Sequence, residues 1–593
     1  MHNSRPFVRM IMALAVISSA FVVLALSSSA AQAQMRSVDE NEKAYVMTAS
    51  GTWGAAHDAA IANAGGSVQY RHAATGIGVV YSGDALFYRK AMRSGLFGPS
   101  SQDMMVEWQK PSDVRVVDEG VTEDVVTPGN DNFINLLWNM TAIDAFGAWS
   151  QGYDGAGVRV AVIDGGMCSL HPDVAPNIDV AASASFVPGF TWDQDTGGAT
   201  AFRHACHVAG IIAAVDNTIG TIGVAPKATI ISCKALHGGS GSFAAVIQAI
   251  LYAADPIASG GAGANIINMS LGATFAKGGG NTGAGALVAA LNKAVNYATA
   301  QNVLVVCSAG NNAIDMDHSG SITNVPAQSG SAIAISATAP VGFAVNWPNG
   351  ATNFDNPTTY TNYGHQLVWV SAPGGDSALP GNAVCSIPRV VGAPVNQFCW
   401  VLDLVFSPGS QSGSYFWAGG TSMAAPHVSG VAALIAQKYP GISVGDLKTI
   451  IAQTAVDAGA NGADPYHGHG FLNANAAVSG TTAQSATAPS QGVIRKGPVG
   501  TARVELEVAQ NAGRSIPSIS FTLPSGGPAR VDLFDLAGRK VAELFNGSAA
   551  AGRTSLTWSG RDANGQLLRR GAYFARLTAG DVKAARQLVL LGD

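Results

Sequence analysis

The chain has 593 residues, enough for three or four domains at about 100–200 residues each. Its 33 Lys and Arg against 38 Asp and Glu give a net charge of −5, which excludes a basic nucleic-acid surface and an acidic tail. Hydrophobic residues at 47% exclude wholesale disorder, while only 12% charged residues and 71 glycines describe a neutral, turn-rich, folded protein.

Arg5 and Arg9 precede an apolar run from Met10 to Leu26, followed by Ser27 to Ser29 and Ala31-Gln32-Ala33. A basic start, a short apolar core and an A-x-A site read as a secretory signal peptide over 1–33, cut after Ala33. An uncleaved anchor is the alternative, but the run falls short of the ~20 residues a spanning helix needs. No later segment is long and apolar enough to span a bilayer. The mature protein is therefore expected to be secreted, extracellular or at the cell surface, with no transmembrane span.

Residues 34–106 mix strand-like pieces, Lys43–Thr48 and Gly76–Tyr81, with an Ala-rich helical stretch near Ala55–Ala64. Residues 107–132 are polar, carry Pro111, Pro128 and Gly129, and lack periodicity, which predicts an accessible linker. From 133 to 480 short Val- and Ile-rich runs alternate with helical patterns. The runs Val158–Ile163, Thr229–Cys233, Asn265–Met269, Val303–Val306, Ala332–Ser336 and Leu367–Val370 suit buried parallel strands. With helical stretches such as Phe243–Ala253 and Gly285–Ala300 between them, they predict an open, doubly wound α/β domain with a mostly parallel sheet. Residues 481–500 form a second linker. Beyond it, over 501–593, the period becomes two: Ile519, Phe521, Leu523; Leu556, Trp558; Tyr573, Ala575, Leu577. That predicts a small all-β sandwich.

All six cysteines lie in the middle of the chain. An exported protein permits disulfides, and Cys385 with Cys399, flanking one short polar segment, is the favoured pair. Cys233 and Cys307 end apolar runs and read as buried thiols. Pairing of Cys168 with Cys206 is left open.

Three places in the α/β domain carry chemistry. The strand Val158–Ile163 delivers Asp164 at its carboxyl end. His204 opens the helical stretch His204-Ala-Cys-His-Val-Ala-Gly, and Ser422 lies in Gly420-Thr-Ser-Met-Ala-Ala-Pro ahead of an apolar helix. Sites in open α/β sheets gather at strand carboxyl ends and helix N-termini. A serine hydroxyl is a weak nucleophile at neutral pH; it needs a base, and the base needs an orienting carboxylate. Asn311, in Ser308-Ala-Gly-Asn-Asn, is a candidate donor to an oxyanion together with the Ser422 N–H.

Val-Ala-Val-Ile-Asp164, His204-x-x-His-Val-Ala-Gly, Ser-Ala-Gly-Asn311 and Gly-Thr-Ser422-Met-Ala-Ala-Pro-His together resemble the subtilisin-like serine proteases, in that family's chain order. The resemblance spans about 133–480. It implies a serine endopeptidase working through an acyl-enzyme, in which Asp164 orients, His204 is the general base and acid, Ser422 attacks and Asn311 completes the oxyanion hole. Substrate would lie extended beside Ser270, Leu271 and Gly272, with Ala309 and Gly310 as the opposite wall of the specificity pocket and Asn324 near its base. Two departures stand out: Gly165 replaces the usual Ser or Thr, removing a hydroxyl beside Asp164, and Ala205 replaces a Gly. The resemblance further implies structural Ca2+ held by Asp173 and the loop residues Val215, Asn217, Ile219 and Thr221, whose carboxylate, amide and carbonyl oxygens suit a hard cation. No organic cofactor is implied.

The flanks add two weaker resemblances. Tyr45-Val-Met and Ala64-Gly-Gly-Ser-Val are similar to inhibitor-type propeptides of this family, which implies an intramolecular inhibitor cut off in the 107–132 linker. Val531-Asp-Leu-Phe-Asp-Leu-Ala-Gly and Gly571-Ala-Tyr573 resemble immunoglobulin-like C-terminal modules of secreted bacterial proteins, some of which engage the cell surface or secretion machinery. The rival readings are a catalytically weak pseudoprotease that binds peptides, and a surface adhesin carried by the C-terminal module. His204 with His207 as a metal pair is disfavoured without a His-Glu-x-x-His. Cys206 is expected to be a packing or redox-sensitive thiol, Asp315, Asp317 and His318 a solvated turn, and Tyr415 and Trp417 either core packing or substrate contacts.

Overall fold

The computed structural model describes residues 42–108, 117–118, 132–277, 284–350 and 352–480, and beyond these chiefly the strands between 505 and 590. The expected signal peptide and the 481–500 linker lie outside the described residues. The chain divides into two compact units, Met1–Gln491 and Gly492–Asp593.

The first unit begins with β1 (Lys43–Thr48), α1 (Ala55–Asn63), β2 (Ser67–His72), β3 (Ile77–Ser82), α2 (Phe87–Met92) and β4 (Ser101–Gln102), the strands forming a sheet in the order β2-β3-β1-β4. Alternation along these strands makes two buried faces. Tyr45, Met47 and Val80 pack with Ile61 of α1 and Phe87 of α2. Val46, Val79 and Tyr81 instead join a cluster with Ile247, Leu251, Leu291 and Val295 of the next domain's helices. This small sheet is therefore seated on the larger domain.

Next come β5 (Met105–Glu107), whose last residue opens the expected 107–132 linker, and β6 (Val117–Asp118), within it. β5 pairs antiparallel with β10 (Ser240–Ser242), and β6 with β21 (Tyr415–Ala418). Residues 107 and 117–118 of the expected linker thus lie in paired strands. A polar, aperiodic segment adopts strand when a distant edge supplies its backbone hydrogen bonds, and no local pattern signals that.

The central domain carries α3 (Trp138–Ala142), α4 (Ala145–Ser150), β7 (Arg159–Asp164), β8 (Ala184–Ser185), α5 (His204–Ala213), β9 (Thr229–Lys234), α6 (Phe243–Ala254), β11 (Ile266–Met269), β12 (Ala273–Ala276), α7 (Ala284–Ala300) and β13 (Leu304–Ser308). It continues through β14 (Ile322–Val325), β15 (Ile333–Ala339), β16 (Asn356–Pro357), β17 (Val368–Pro373), β18 (Val384–Ile387), β19 (Val395–Phe398), β20 (Val405–Pro408), α8 (Thr421–Lys438), α9 (Val444–Thr454) and α10 (Ala474–Ser479). The main sheet runs β16-β15-β13-β11-β7-β9-β8, with β17 also on β15, and all its pairs but β15–β16 are parallel. Its strands read as unbroken apolar runs because both faces are covered. Val160 and Val162 face α5 and α8, whereas Ala161 and Ile163 face α6 and α7. Each Val and Ile among these contributes about 1.5–3 kcal/mol by leaving water. After β7 the chain lays down β9 on one side and later β11 on the other, so the strand order reverses at β7. Crevices form at that switch point.

Cys385 and Cys399 are bonded across the β18–β19 hairpin, and Cys168 is bonded to Cys206. Cys233 and Cys307 are free and buried, and burial pushes both thiols up, Cys233 to about 12.

The second unit has β22 (Glu505–Ala509), β23 (Ser518–Leu523), β24 (Gly527–Phe534), β25 (Lys540–Ala549), β26 (Gly552–Leu556), β27 (Gly571–Ala579) and β28 (Val582–Leu590). They form antiparallel sheets β22-β23-β26 and β25-β24-β27-β28. Ile519, Phe521 and Leu523 from one sheet meet Val531, Leu533, Tyr573 and Leu577 from the other in one core.

Candidate active site

Asp164 ends β7 at the switch point and is fully buried. A buried carboxylate must find donors in the protein. The Gly165 N–H donates to its Oδ1 at 2.6 Å, and His204 Nδ1 lies 2.8 Å from its Oδ2. The departure at Gly165 therefore leaves Asp164 a backbone donor in place of a hydroxyl. His204 is the first residue of α5, and the Cys168–Cys206 disulfide ties that helix to the loop leaving β7. Cys206 is thus a bonded cysteine rather than a thiol. Arg203, the residue before the helix, donates to the carbonyls of Met167 and Asp193 from the same loops. His207 is buried, donates from Nε2 to the Phe416 carbonyl at 3.0 Å, and desolvation drives it down to about 3. It is a neutral packing histidine, and among the described residues no group of three potential metal-ligating side chains occurs.

Ser422 is the second residue of α8, which is buried from Thr421 to Ile435. Pro426 lies four residues on and has no N–H for the Ser422 carbonyl, the bond an α-helix would normally make there. Ser270 supplies it: its Oγ donates to the Ser422 carbonyl at 2.8 Å, while Ser422 Oγ donates to the Ser270 carbonyl at 3.2 Å. The nucleophile candidate is thus fixed to the Ser270–Gly272 edge by its own backbone. Asn311 follows β13, and its Oδ1 accepts from the Thr421 N–H at 2.9 Å and the Thr421 hydroxyl at 2.7 Å. With the oxygen engaged, the amide NH2 is what Asn311 offers the cleft, beside the N-terminus of an 18-residue helix.

A cleft of about 560 Å³ brings His204, Ser422, Asn311, Gly310, Leu271, Gly272 and Asn324 together. Ala309 backs it, its carbonyl held by Asn324 Nδ2 at 2.6 Å and Asn362 Nδ2 at 3.0 Å. Gly310 sits at φ +100°, and a Cβ there would meet Asn362 Nδ2 at 2.3 Å, so only glycine forms this wall. Part of the cleft is filled by the chain itself. Beyond the β5–β10 pairing, the Trp108 N–H donates to the Gly239 carbonyl at 3.1 Å and its carbonyl accepts from the Gly272 N–H at 3.0 Å. The indole N–H donates to the Gly241 carbonyl at 3.0 Å, and the ring lies 5.1 Å from Phe243 and 6.5 Å from Phe275. Sequence reasoning missed this second edge and its aromatic pocket. Gly239-Ser240-Gly241 ahead of an apolar helix was the available signal.

Beside Asp164 the structure adds two groups that the sequence did not single out. Asp195 Oδ2 accepts from the Gly166 N–H at 2.7 Å, and a Cβ on Gly165 would lie 2.4 Å from that oxygen. Lys234, fully buried at the end of β9, donates to the Leu236 carbonyl at 2.6 Å. Burial lowers Lys234 to about 8, against the opposing pull of Asp195 and Asp164.

The expected calcium loop closes on Asp173. That carboxylate is buried, and its Oδ2 accepts from the Thr221 N–H at 2.8 Å, the Thr221 hydroxyl at 3.2 Å and the Tyr415 hydroxyl at 3.3 Å. The Val215 N–H donates to the Asp173 carbonyl at 2.9 Å, and the Asn217 Oδ1 accepts from the Ile219 N–H at 3.1 Å. One carboxylate, one amide oxygen and backbone carbonyls fit a hard cation by donor chemistry. Asp315 pairs with His318 at 2.8 Å on an exposed turn, and Trp417 is buried in the core.

Residues 155–470 match the Subtilase family, and residues 505–582 match the FlgD Ig-like domain. Subtilisin Savinase of Lederbergia lenta is 34% identical over 345 residues, covering 58% of this chain and 99% of that protein. Subtilisin DY of Bacillus licheniformis is 33% identical over 334 residues, 56% of this chain and 93% of that one. Among solved structures, the epidermin leader peptide processing serine protease of Staphylococcus aureus aligns with TM-score 0.56 at 20% identity, covering 74% of this chain and 98% of that one, a likeness of fold. The chain belongs to the subtilase family. It is a serine-type endopeptidase with a C-terminal Ig-like domain.

The buried lysine has a stability consequence. Folded Lys234 loses its proton near pH 8 while the unfolded chain keeps it to about 10.5, so the unfolded state binds more protons between those values. Stability from this group rises as pH passes from about 8 to 10.5. Urea unfolding in a Ser422→Ala background should show that rise, and Lys234→Met should remove its share.

Proposed function

We propose that this endopeptidase is secreted as a self-processing zymogen and cuts peptide bonds through Asp164, His204 and Ser422, with Asn311 at the oxyanion. The observation that carries this is the 2.8 Å Asp164–His204 contact in one cleft with Ser422 and Asn311. Asp164 holds the imidazole with Nδ1–H toward it, leaving Nε2 to take the Ser422 proton as Oγ attacks the carbonyl. Negative charge then develops on the carbonyl oxygen, where the Asn311 NH2 and the Ser422 N–H at the α8 N-terminus donate. His204 returns the proton to the leaving amine, and water hydrolyses the acyl-enzyme by the reverse proton path. A full set of acting groups favours catalysis over a peptide-binding pseudoprotease.

The N-terminal segment is the inhibitor in this reading. Its support is the sheet seated on α6 and α7 and the strand 105–108 along the cleft, placed as a main-chain-read peptide would be. Maturation cleavage falls within 107–132. Export is supported by the signal-peptide pattern and by two disulfides, which persist in oxidising compartments. Among the described residues no helix is long and apolar enough to cross a membrane. The Ig-like module is assigned to the cell surface or secretion machinery by analogy of fold. Structural Ca2+ is assigned to Asp173, Asn217 and the carbonyls of Val215, Ile219 and Thr221, where it would brace the loop after α5.

Purified wild type should take a fluorophosphonate label and be cut within 107–132, while Ser422→Ala should do neither. A folded protein already freed of its N-terminal segment yet unlabelled would overturn the protease mechanism. Asn311→Ala should lower kcat by about 10²–10³ with KM little changed, the cost of one oxyanion donor. Chelating Ca2+ should lower the melting temperature of Ser422→Ala, and an unchanged value would remove the calcium assignment.

A further inference from the structure

Asn311 sits on a stretch that belongs to no helix or strand. Residues 309–314 follow β13, and two of them, Gly310 and Ala313, take left-handed backbone angles of φ +100° and +52°. An alanine at positive φ is unfavourable by itself and persists only where the surroundings hold it.

What holds this loop is a side chain 48 to 53 residues further along the chain. Asn362, between β16 and β17, is fully buried. Its Nδ2 donates to the Ala309 carbonyl at 3.0 Å, and its Oδ1 accepts from the Asn312 and Ile314 N–H groups, both at 3.0 Å. Its backbone N–H donates to the Gly310 carbonyl at 2.8 Å. The four contacts fall on both sides of Asn311, whose own side chain is left to Thr421 and the cleft. Beside them, the Ala313 N–H donates to the Tyr360 carbonyl at 2.7 Å and the Tyr363 N–H to the Ile314 carbonyl at 3.0 Å.

The residue type matters. An asparagine amide carries an acceptor oxygen and a donor NH2 on one carbon, whereas aspartate of the same shape has no donor for Ala309 and leucine has neither. Removing the amide strips the loop of three contacts at once, and backbone groups left unpaired shift until they find water. An oxyanion donor works at about 2.7–3.1 Å, and a misplacement of about 1 Å costs on the order of 10²-fold in rate.

We propose that Asn362 is a positioning residue for the reaction, fixing the backbone on either side of Asn311 so that the Asn311 amide meets the developing oxyanion. This rests on the protease mechanism proposed above. Asn362 acts on the rate through Asn311. The pocket wall keeps a second holder, since Asn324 Nδ2 donates to the same Ala309 carbonyl at 2.6 Å.

The test is a double-mutant cycle in the full chain, read on a peptide substrate once intact mass shows the N-terminal segment removed. Asn362→Ala should lower kcat about 10- to 100-fold with KM within about threefold of wild type. In an Asn311→Ala background the same change should cost less than about threefold, because the donor it positions is already gone. A residue that only supported folding would cost the same factor in both backgrounds. Asn362→Asp keeps the two acceptor contacts and loses the donor, so its kcat should fall between wild type and Asn362→Ala; it carries the cycle should Asn362→Ala fail to fold. For a variant that stays uncut, the first-order rate of its self-cleavage is read in place of kcat. An undiminished kcat, equal factors in the two backgrounds, or a change confined to KM would overturn the proposal. Those results beside an impaired Asn311→Ala defeat this inference alone; an Asn311→Ala with undiminished kcat defeats the oxyanion reading beneath it as well.

Discussion

A carboxylate sealed from water constrains everything near it, and here that carboxylate is Asp164. It needs hydrogen bonds from the protein, and it takes them from the Gly165 N–H and the His204 ring. Meeting that need fixes the start of α5 against the end of β7, and the Cys168–Cys206 bond secures the same two elements covalently. Lys234 then lies under the site as a buried cation, held by the Leu236 carbonyl and attracted by Asp164 and Asp195. The glycine pair after Asp164 belongs to the same arrangement, since a side chain there would displace Asp195.

The other half of the site is organised by a missing donor. Pro426 leaves the Ser422 carbonyl without its helical partner, and Ser270 fills the gap. One proline thereby joins the helix bearing the nucleophile candidate to the strand edge that a peptide would follow. Thr421 does the corresponding work on the opposite wall: its N–H and hydroxyl donate to the Asn311 Oδ1, and its hydroxyl oxygen accepts from the Gly310 N–H at 3.1 Å.

The parts legible in the sequence were those whose causes are local. β7 announces itself because both of its faces are buried, which writes Val-Ala-Val-Ile without a polar break. The C-terminal strands alternate because each has one face in the core, as Ile519, Phe521 and Leu523 do. Asp164, His204, Asn311 and Ser422 sit at element ends with their neighbours, so short patterns carry them. What stayed hidden depends on residues far apart. Trp108 is anchored by Gly241, 133 residues away, and nothing in the polar run around it declares an aromatic pocket. Asp195 sits among Trp192-Asp-Gln-Asp-Thr-Gly-Gly, indistinguishable from a solvated turn until the loop is folded over Gly165. The Cys168–Cys206 bond likewise joins two elements whose proximity only the sheet order reveals.

The strand at 105–108 occupies the cleft from within the same molecule, and that changes how occupancy responds to concentration. A tethered segment sees its groove at an effective concentration fixed by the connection, not by the amount of protein in solution. Dilution cannot empty the cleft while the backbone is continuous. If the proposed cleavage severs the connection, the same contacts belong to two molecules, and release then depends on the volume in which the two pieces meet.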